Sequence, residues 1–178
     1  MRIISGKYRG LTLAEFKGEE IRPTADRVKE SLFNIIYSRV AGAKVLDLFC
    51  GSGNLGIECL SRMADSVHFN DISEDSLKVL KKNLAKLKDG ASYKITKSDF
   101  SACLSCAGGG FDLIFIDPPY RFDYGAQALK IIADRGLLSE NGIAVYERDR
   151  PFEGEICGLE RFDERKYGKT YLTFFKRV

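Results

Sequence analysis

The sequence has no tryptophan, two methionines, four prolines and a single histidine, His68. It also lacks any apolar run near the roughly 20 residues that cross a bilayer, which excludes a spanning helix. The opening Met1-Arg2-Ile3-Ile4-Ser5-Gly6 has neither the apolar core nor the cleavage site of a signal peptide. Cysteine is sparse: five residues, an odd number with no small-domain framework, which fits a reducing compartment. A cytoplasmic protein is therefore expected. Cys103-x-x-Cys106 has a spacing used by zinc sites, but zinc needs two further ligands. The lone histidine and the distant Cys157 do not supply them, so no metal is expected, and the pair reads as two small helix or loop residues. Repeats, low-complexity tracts and linkers are missing too. Residues 1–178 are expected to form one domain, long enough to bury a core without staples, and a monomer is the expected state.

What is present is an ordinary globular mixture, 44% hydrophobic and 30% charged, with a net charge of only +3. That charge is uneven. Arg2, Lys7 and Arg9 open the chain without an acid, and Arg161, Arg165, Lys166, Lys169, Lys176 and Arg177 near its end face only Asp163 and Glu164. Basic ends on a near-neutral body suit a polyanion held at one edge, although ordinary solvated charge explains them equally well.

Residues 2–13 alternate around Gly6 and Gly10 and predict a short hairpin using Ile3, Tyr8, Leu11 and Leu13. Thr24 is a plausible helix cap, followed by an apolar stripe at Val28, Leu32, Ile35 and Ile36. From Lys44 onward short apolar runs alternate with amphipathic segments. The pattern predicts strands at residues 45–48, 67–69, 93–95, 113–116, 143–146, 159–165 and 170–176. Helices are predicted over residues 54–62, 73–87 and 127–133. This alternation predicts an α/β fold, a doubly wound Rossmann-like parallel sheet with helices on both faces and a small N-terminal hairpin and helix extension.

Asp47-Leu48-Phe49-Cys50-Gly51-Ser52-Gly53-Asn54-Leu55-Gly56 follows the first parallel strand and opens a helix. Its glycines satisfy G-x-G-x-x-G, and Asp71 ends the next strand, where an acid meets ribose hydroxyls. A nicotinamide cofactor is the obvious ligand, but three features oppose it. Asp47 sits where a pyrophosphate is repelled and a cationic sulfonium is not. Few residues remain for a substrate domain. The fourth strand ends in Asp117-Pro118-Pro119-Tyr120, which has no role in hydride transfer. The acids Asp47, Asp71, Asp99 and Asp117 together favour S-adenosylmethionine as the cofactor.

The same strand-four motif predicts the reaction. An exocyclic amine is a poor nucleophile because its lone pair is delocalised into the ring. Acceptors aimed at its N–H bonds favour a tetrahedral, nucleophilic nitrogen, and the Asp117 carboxylate and Pro118 carbonyl are suitable. Pro118 and Pro119 fix the backbone, and Tyr120 offers a face on which a base stacks. Asp99 is a candidate for the adenine amine with Phe100 against the ring, though a helix cap explains Asp99 alone.

Asp47-x-Phe49-x-Gly51-x-Gly53 with Asp117-Pro118-Pro119-Tyr120 resembles class I S-adenosylmethionine-dependent methyltransferases acting on amino groups. The opening Met1 to Gly10, the segment Ile21-Arg22-Pro23-Thr24-Ala25-Asp26-Arg27-Val28-Lys29-Glu30-Ser31-Leu32-Phe33-Asn34 and the late Tyr167-Gly168-Lys169-Thr170 resemble the bacterial RsmD family. The resemblance covers nearly the whole chain. It implies methylation of the N2 amine of a guanine in 16S ribosomal RNA, presented by a small ribosomal subunit particle. It also implies a seven-stranded sheet with its last strand antiparallel. Asp117, Pro118 and Tyr120 would hold the guanine amine, Asp71 the cofactor ribose with Ile72 beside it, and Asp99 the adenine. Many members carry their ribose acid one position earlier, so Asn70 and Asp71 both stay candidates. Residues 1–40 are the expected RNA-contacting part, through Arg2, Lys7, Arg9, Arg22 and Arg27, aided by Lys169. Residues 41–178 are the expected cofactor-binding core. Rival readings are a DNA adenine-N6 or cytosine-N4 methyltransferase, a non-catalytic RNA-binding protein with a vestigial pocket, and a nicotinamide oxidoreductase.

Overall fold

A computed structural model describes residues 1–15, 23–87, 90–119 and 123–178, with only the backbone of residues 23–26. The predicted strands form one sheet: β1 (Lys44–Asp47), β2 (Ser66–Asp71), β3 (Tyr93–Lys97), β4 (Phe111–Ile116), β5 (Leu138–Arg148), β6 (Leu159–Tyr167) and β7 (Thr170–Arg177). Their spatial order is β3-β2-β1-β4-β5-β7-β6, parallel from β3 to β5, with β7 antiparallel to both its neighbours. The order reverses between β2-β1 and β4, the kind of point where open α/β sheets bind ligands beyond their carboxyl edges.

Among the described residues five α-helices cover the two faces: α1 (Pro23–Ile35), α2 (Asn54–Ser61), α3 (Glu74–Leu84), α4 (Phe100–Cys106) and α5 (Tyr124–Asp134). On one face α1, α2 and α3 bury Leu32, Phe33, Ile57 and Leu80 against Val45, Phe115 and Phe174. On the other, α4 and α5 bury Leu104, Leu129 and Ile132 against Leu46, Ile114 and Ala144. Period-two alternation along each strand thus supplies both cores, as a sheet covered on both faces requires.

Two expectations are corrected. Helix α1 begins at Pro23, so Thr24 lies within it and is not its cap; proline, lacking an N–H, suits a first helical position. Its buried face turns toward Phe33, fully buried, and leaves Ile35 38% exposed at the margin. The expected N-terminal hairpin is present in short form: Arg2 and Thr12 bridge antiparallel, and the N–H groups of Ile3, Gly10 and Leu13 donate to the carbonyls of Leu11, Ile3 and Met1. Other N–H groups of the segment pair with α2. Ile4 and Ser5 N–H donate to the two oxygens of Glu58, and Lys7 and Tyr8 N–H donate to the carbonyl and hydroxyl of Ser61. The segment is thus bonded both to itself and, through its turn, to α2.

Glu58 is fully buried, and each of its oxygens has a second, cationic partner. Lys29 of α1 lies 2.9 Å from Oε2, and Arg62 Nε lies 2.8 Å from Oε1. Burial pushes this carboxyl up, but the Lys29 charge and the hydrogen bonds from Ile4, Lys29 and Arg62 outweigh it and hold it below the ordinary value. Removing one partner of a buried ion pair typically costs about 3–5 kcal/mol, because the remaining charge is stranded. Glu58→Gln is expected to lose stability on that scale in urea unfolding at pH 7. The depressed carboxyl contributes stability above its unfolded value of about 4.3, and that contribution is lost as pH falls through the folded value. The acid limb of the stability curve should therefore be shallower in the variant. A loss below about 1 kcal/mol, in the range of an exposed pair, would show that Glu58 is not the clamp.

Candidate active site

The carboxyl edge of the sheet is built by chain turns whose geometry follows from small residues. After β1 the chain turns through Gly51 (φ 52°) and Gly53 (φ 85°), and Gly53 is the residue that opens α2. A side chain at Gly53 would be strained by that φ and would meet Leu80 Cδ1 at 2.4 Å. Gly56 answers a different need. A Cβ there would stand 2.2 Å from the Phe69 ring, so its absence lets α2 lie directly on β2. Asp47, 2% exposed, accepts the Gly56 N–H at 2.9 Å and so caps the positive end of α2.

Asn70 and Asp71, left open by the sequence, take different positions at the end of β2. Asn70 is buried and braced: its amide donates to the carbonyls of Leu48 and Ser98, and its oxygen accepts from the Ser98 hydroxyl. The Asp71 carboxylate is half-buried and accepts the Gly51 N–H at 2.9 Å and the Ser73 N–H at 2.8 Å. It is thereby aimed at the glycine turn, with lone pairs left for a ligand.

Between these turns lies a cavity of about 650 Å³, within the rough 300–1,000 Å³ range of small-molecule sites. Phe49, Asp71, Ile72, Asp99 and Phe100 line it, and so do Asp117, Pro118 and Pro119. Asp99 is the cap of α4, its Oδ1 accepting from the Ser101 N–H and hydroxyl. These bonds, the Ser101 hydroxyl foremost, hold its carboxyl below the usual value. Both readings of Asp99 thus coexist: it caps a helix and lines the cavity. Phe49, Phe100 and Tyr124 form an aromatic chain, with centroids 5.5 and 5.1 Å apart. The sequence reading missed Tyr124, because an aromatic in the first turn of a helix looks like any core residue.

A second chamber of about 260 Å³ adjoins the first through Phe49, Gly51 and Asp117. It is lined by Asp47, Asp117 and Glu147, with Lys29 and Asn54 opposite. The register explains the acidic wall. Asp47 pairs with Phe115, and Ile116 pairs with Tyr146, which sets Asp117 and Glu147 side by side just beyond that pair. Neighbouring strands lie about 4.8 Å apart, and odd-numbered positions here share one face, so three carboxyls converge. Burial, opposed by the Gly56 N–H and aided by the Asp71 charge, pushes Asp47 up to about 7. Asp117 is open to the chambers yet closely surrounded by protein. Burial, then the charges of Glu147 and Asp47, push its carboxyl well above the usual range. Glu147 was also missed; an acid one place beyond an apolar run was its only signal.

Tyr120 and Arg22 lie outside the described residues. Arg2, Lys7, Arg9, Arg27 and Lys169 are exposed. Arg2 and Arg9 share a shallow surface hollow with Glu30, and Met1 reaches the wall of the second chamber. The N-terminal segment therefore runs outward from the mouth of the site. Lys169 sits apart, in the turn between β6 and β7. Cys103 is buried and Cys106 exposed, both on α4, and among the described residues no acid, histidine and cysteine group is placed to hold a metal. No described helix is long and apolar enough to cross a membrane.

The family model described as conserved hypothetical protein 95 matches residues 1–176. The chain is 37% identical, over an alignment of 182 residues covering 99% of both proteins, to YlbH of Bacillus subtilis strain 168. It is 36% identical over 156 residues to the ribosomal RNA small subunit methyltransferase D of Haemophilus influenzae, covering 85% of this chain and 81% of that protein. The solved structure of Escherichia coli yhhF superposes with a TM-score of 0.89 at 31% identity, covering 99% of this chain and 97% of that one. The fold is that of the class I methyltransferases.

The raised Asp47 carboxyl makes a signed prediction. Between the unfolded value of about 3.9 and the folded value of about 7, the folded state binds the extra proton. Stability therefore falls as pH rises through that window, by on the order of 1 kcal/mol per pH unit. Asp47→Asn should unfold with a flatter pH dependence between pH 5 and 7 than the parent. Parallel curves for the two proteins would mean that Asp47 titrates normally.

Proposed function

We propose a function from one premise: the chain belongs to the RsmD family, described as conserved hypothetical protein 95. The protein is a methyltransferase that moves a methyl group from S-adenosylmethionine to the exocyclic N2 amine of a guanine in 16S ribosomal RNA. It acts as a cytoplasmic monomer on a small-subunit particle. The observation that carries this reading is the position of Asp117 and Pro118. They stand at the end of β4, where the large cavity meets the acidic chamber.

The residues present suit the cofactor. Asp71 is aimed at the glycine turn, where it can accept ribose hydroxyls, with Ile72 67% exposed beside it. Asp99 has its second oxygen for the adenine amine, and Phe100 and Phe49 supply apolar walls. Gly51 and Gly53 let the backbone approach. Asp47, Asp117 and Glu147 form an acidic wall in which burial raises Asp47 and Asp117, and a cationic ligand favours their ionised form. S-adenosylmethionine, when bound, supplies an electrophilic methyl group on a sulfonium that leaves as a neutral thioether.

The chain's own residues then do three things. Asp117 and the Pro118 carbonyl accept the amine hydrogens and orient its lone pair, so positioning accounts for much of the rate. The Asp117 carboxylate stabilises the positive charge that develops on nitrogen, and it or water takes the released proton. Pro119 keeps the turn rigid, and Tyr120 stacks on the extruded base. Outside the pocket, Arg2, Lys7, Arg9, Arg22 and Arg27 in residues 1–40 grip RNA phosphates together with Lys169.

The test offers the purified protein labelled S-adenosylmethionine with naked 16S RNA, small subunits and duplex DNA, then digests the product to nucleosides. Label is expected in N2-methylguanosine from RNA or subunits. Label in DNA, or in another RNA nucleoside, overturns the assignment. Asp117→Ala should lower turnover by about 10²–10³-fold, the scale of losing one well-placed stabilising group, with cofactor affinity little changed. Unaltered turnover would remove Asp117 from the mechanism.

A further inference from the structure

The carboxyl edge continues beyond Asp117 into the far half of the sheet. Strand β7 is antiparallel to β5 and β6, so β6 runs with β1–β5. Its last residue, Tyr167, and the turn to Thr170 therefore emerge at the same edge as Asp117 and Glu147. Across that edge the register sets one row over three neighbouring strands: Arg148 of β5, Tyr171 of β7 and Lys166 of β6.

This row is stiff and basic. Lys166 Nζ is 5.3 Å from the centroid of the Tyr171 ring. The Arg148 guanidinium lies 5.2 Å from the Tyr146 ring and 5.5 Å from that of Phe152, and its Nε is buried without a hydrogen bond. Beside them Lys166, Lys169 and Arg150 are exposed. No ion pair among the described residues holds Lys166 or Lys169, and Arg150 has only a loose one, to Asp149 at 3.8 Å. The opposite end of the same strand pair differs. There Lys176 is neutralised by Glu160 at 3.0 Å. Lys176 is thus paired at the amino edge, whereas no ion pair among the described residues holds Lys166 or Lys169 at the edge that carries the site.

We propose that Arg150, Lys166 and Lys169, backed by the fixed charge of Arg148, form a second RNA-contacting surface. It holds the phosphates of the strand beside the extruded guanine, on the face of the sheet opposite residues 1–13. The inference rests on the RNA methyltransferase reading. Drawing a base from its stack costs a few kcal/mol, and a strand held on only one side of that base can follow it instead of releasing it. Cations fixed on aromatic rings meet phosphates with less side-chain freedom to lose than free lysines.

The test compares the parent with the combined Arg150→Ala, Lys166→Ala, Lys169→Ala variant for binding to 16S RNA across salt, for S-adenosylhomocysteine affinity and for methyl transfer. All three side chains are exposed, so folding should survive. The expected result is about a tenfold loss of RNA affinity and kcat/KM, a log–log salt slope smaller by about 2–3, and unchanged S-adenosylhomocysteine binding. A Lys176→Ala, Arg177→Ala control at the amino edge should leave RNA binding intact; an equal loss there would show that general charge is responsible and overturn the placement. Unchanged RNA affinity and slope overturn the proposal, and if transfer to small subunits alone falls, the surface instead meets a ribosomal protein. If the parent itself binds no RNA and labels none, the functional reading fails first and takes this inference with it.

Discussion

The buried carboxylate of Glu58 holds three parts of the molecule in one arrangement. It lies in α2, the helix that opens from the glycine turn, and it binds the N-terminal backbone at Ile4 and Ser5 and the α1 side chain Lys29. A buried charge is tolerated only when its hydrogen-bonding capacity is filled, and here two backbone N–H groups and two cations fill it. The geometry of the whole N-terminal region follows. The short hairpin of residues 1–13 is seated on α2 because the stretch between its paired ends delivers N–H groups to Glu58 and Ser61. Lys29 also donates to the Arg2 carbonyl and to Asn54, the first residue of α2. The basic N-terminal segment and the glycine turn are therefore joined through one ammonium group.

A second constraint acts at the carboxyl edge. Three neighbouring parallel strands, β1, β4 and β5, each carry an acid at or just beyond their ends on the same face, and the sheet spacing forces them together. Such a wall is unfavourable in isolation: burial raises the carboxyls of Asp47 and Asp117, and the charges of Glu147 and Asp47 add to the rise at Asp117. Sites of this kind are where folds keep strained electrostatics for chemistry. A ligand with positive charge at its reacting end relieves the repulsion as it binds, so the instability of the free site and affinity for such a ligand have one physical origin.

The parts of this architecture legible from the chain were those governed by short-range rules. All seven strands were readable because a strand's burial pattern is written in consecutive residues. The glycine turn and the strand-four motif were readable because their spacing is local. The boundaries of α1 and the seating of residues 2–13 on α2 were not. A hairpin pattern does not show what the hairpin docks on until the partner, more than fifty residues away, is known. Glu147 and Tyr124 escaped for a similar reason: each lies in an unremarkable sequence setting and joins the site only through strand register or ring packing.

The sequence by itself determined the alternation of strands and helices, the glycine turn, the acids at strand ends and the basic character of both chain ends. Each of these depends on residue type and spacing within a few positions. Only the tertiary structure decided which acids share a wall, that Asn70 braces the sheet while Asp71 points at the glycine turn, and that Arg148, Tyr171 and Lys166 form one row. Those facts depend on which strands are neighbours and in what register, and strands distant in the chain are paired by the burial of both sheet faces together, which no local stretch of sequence encodes.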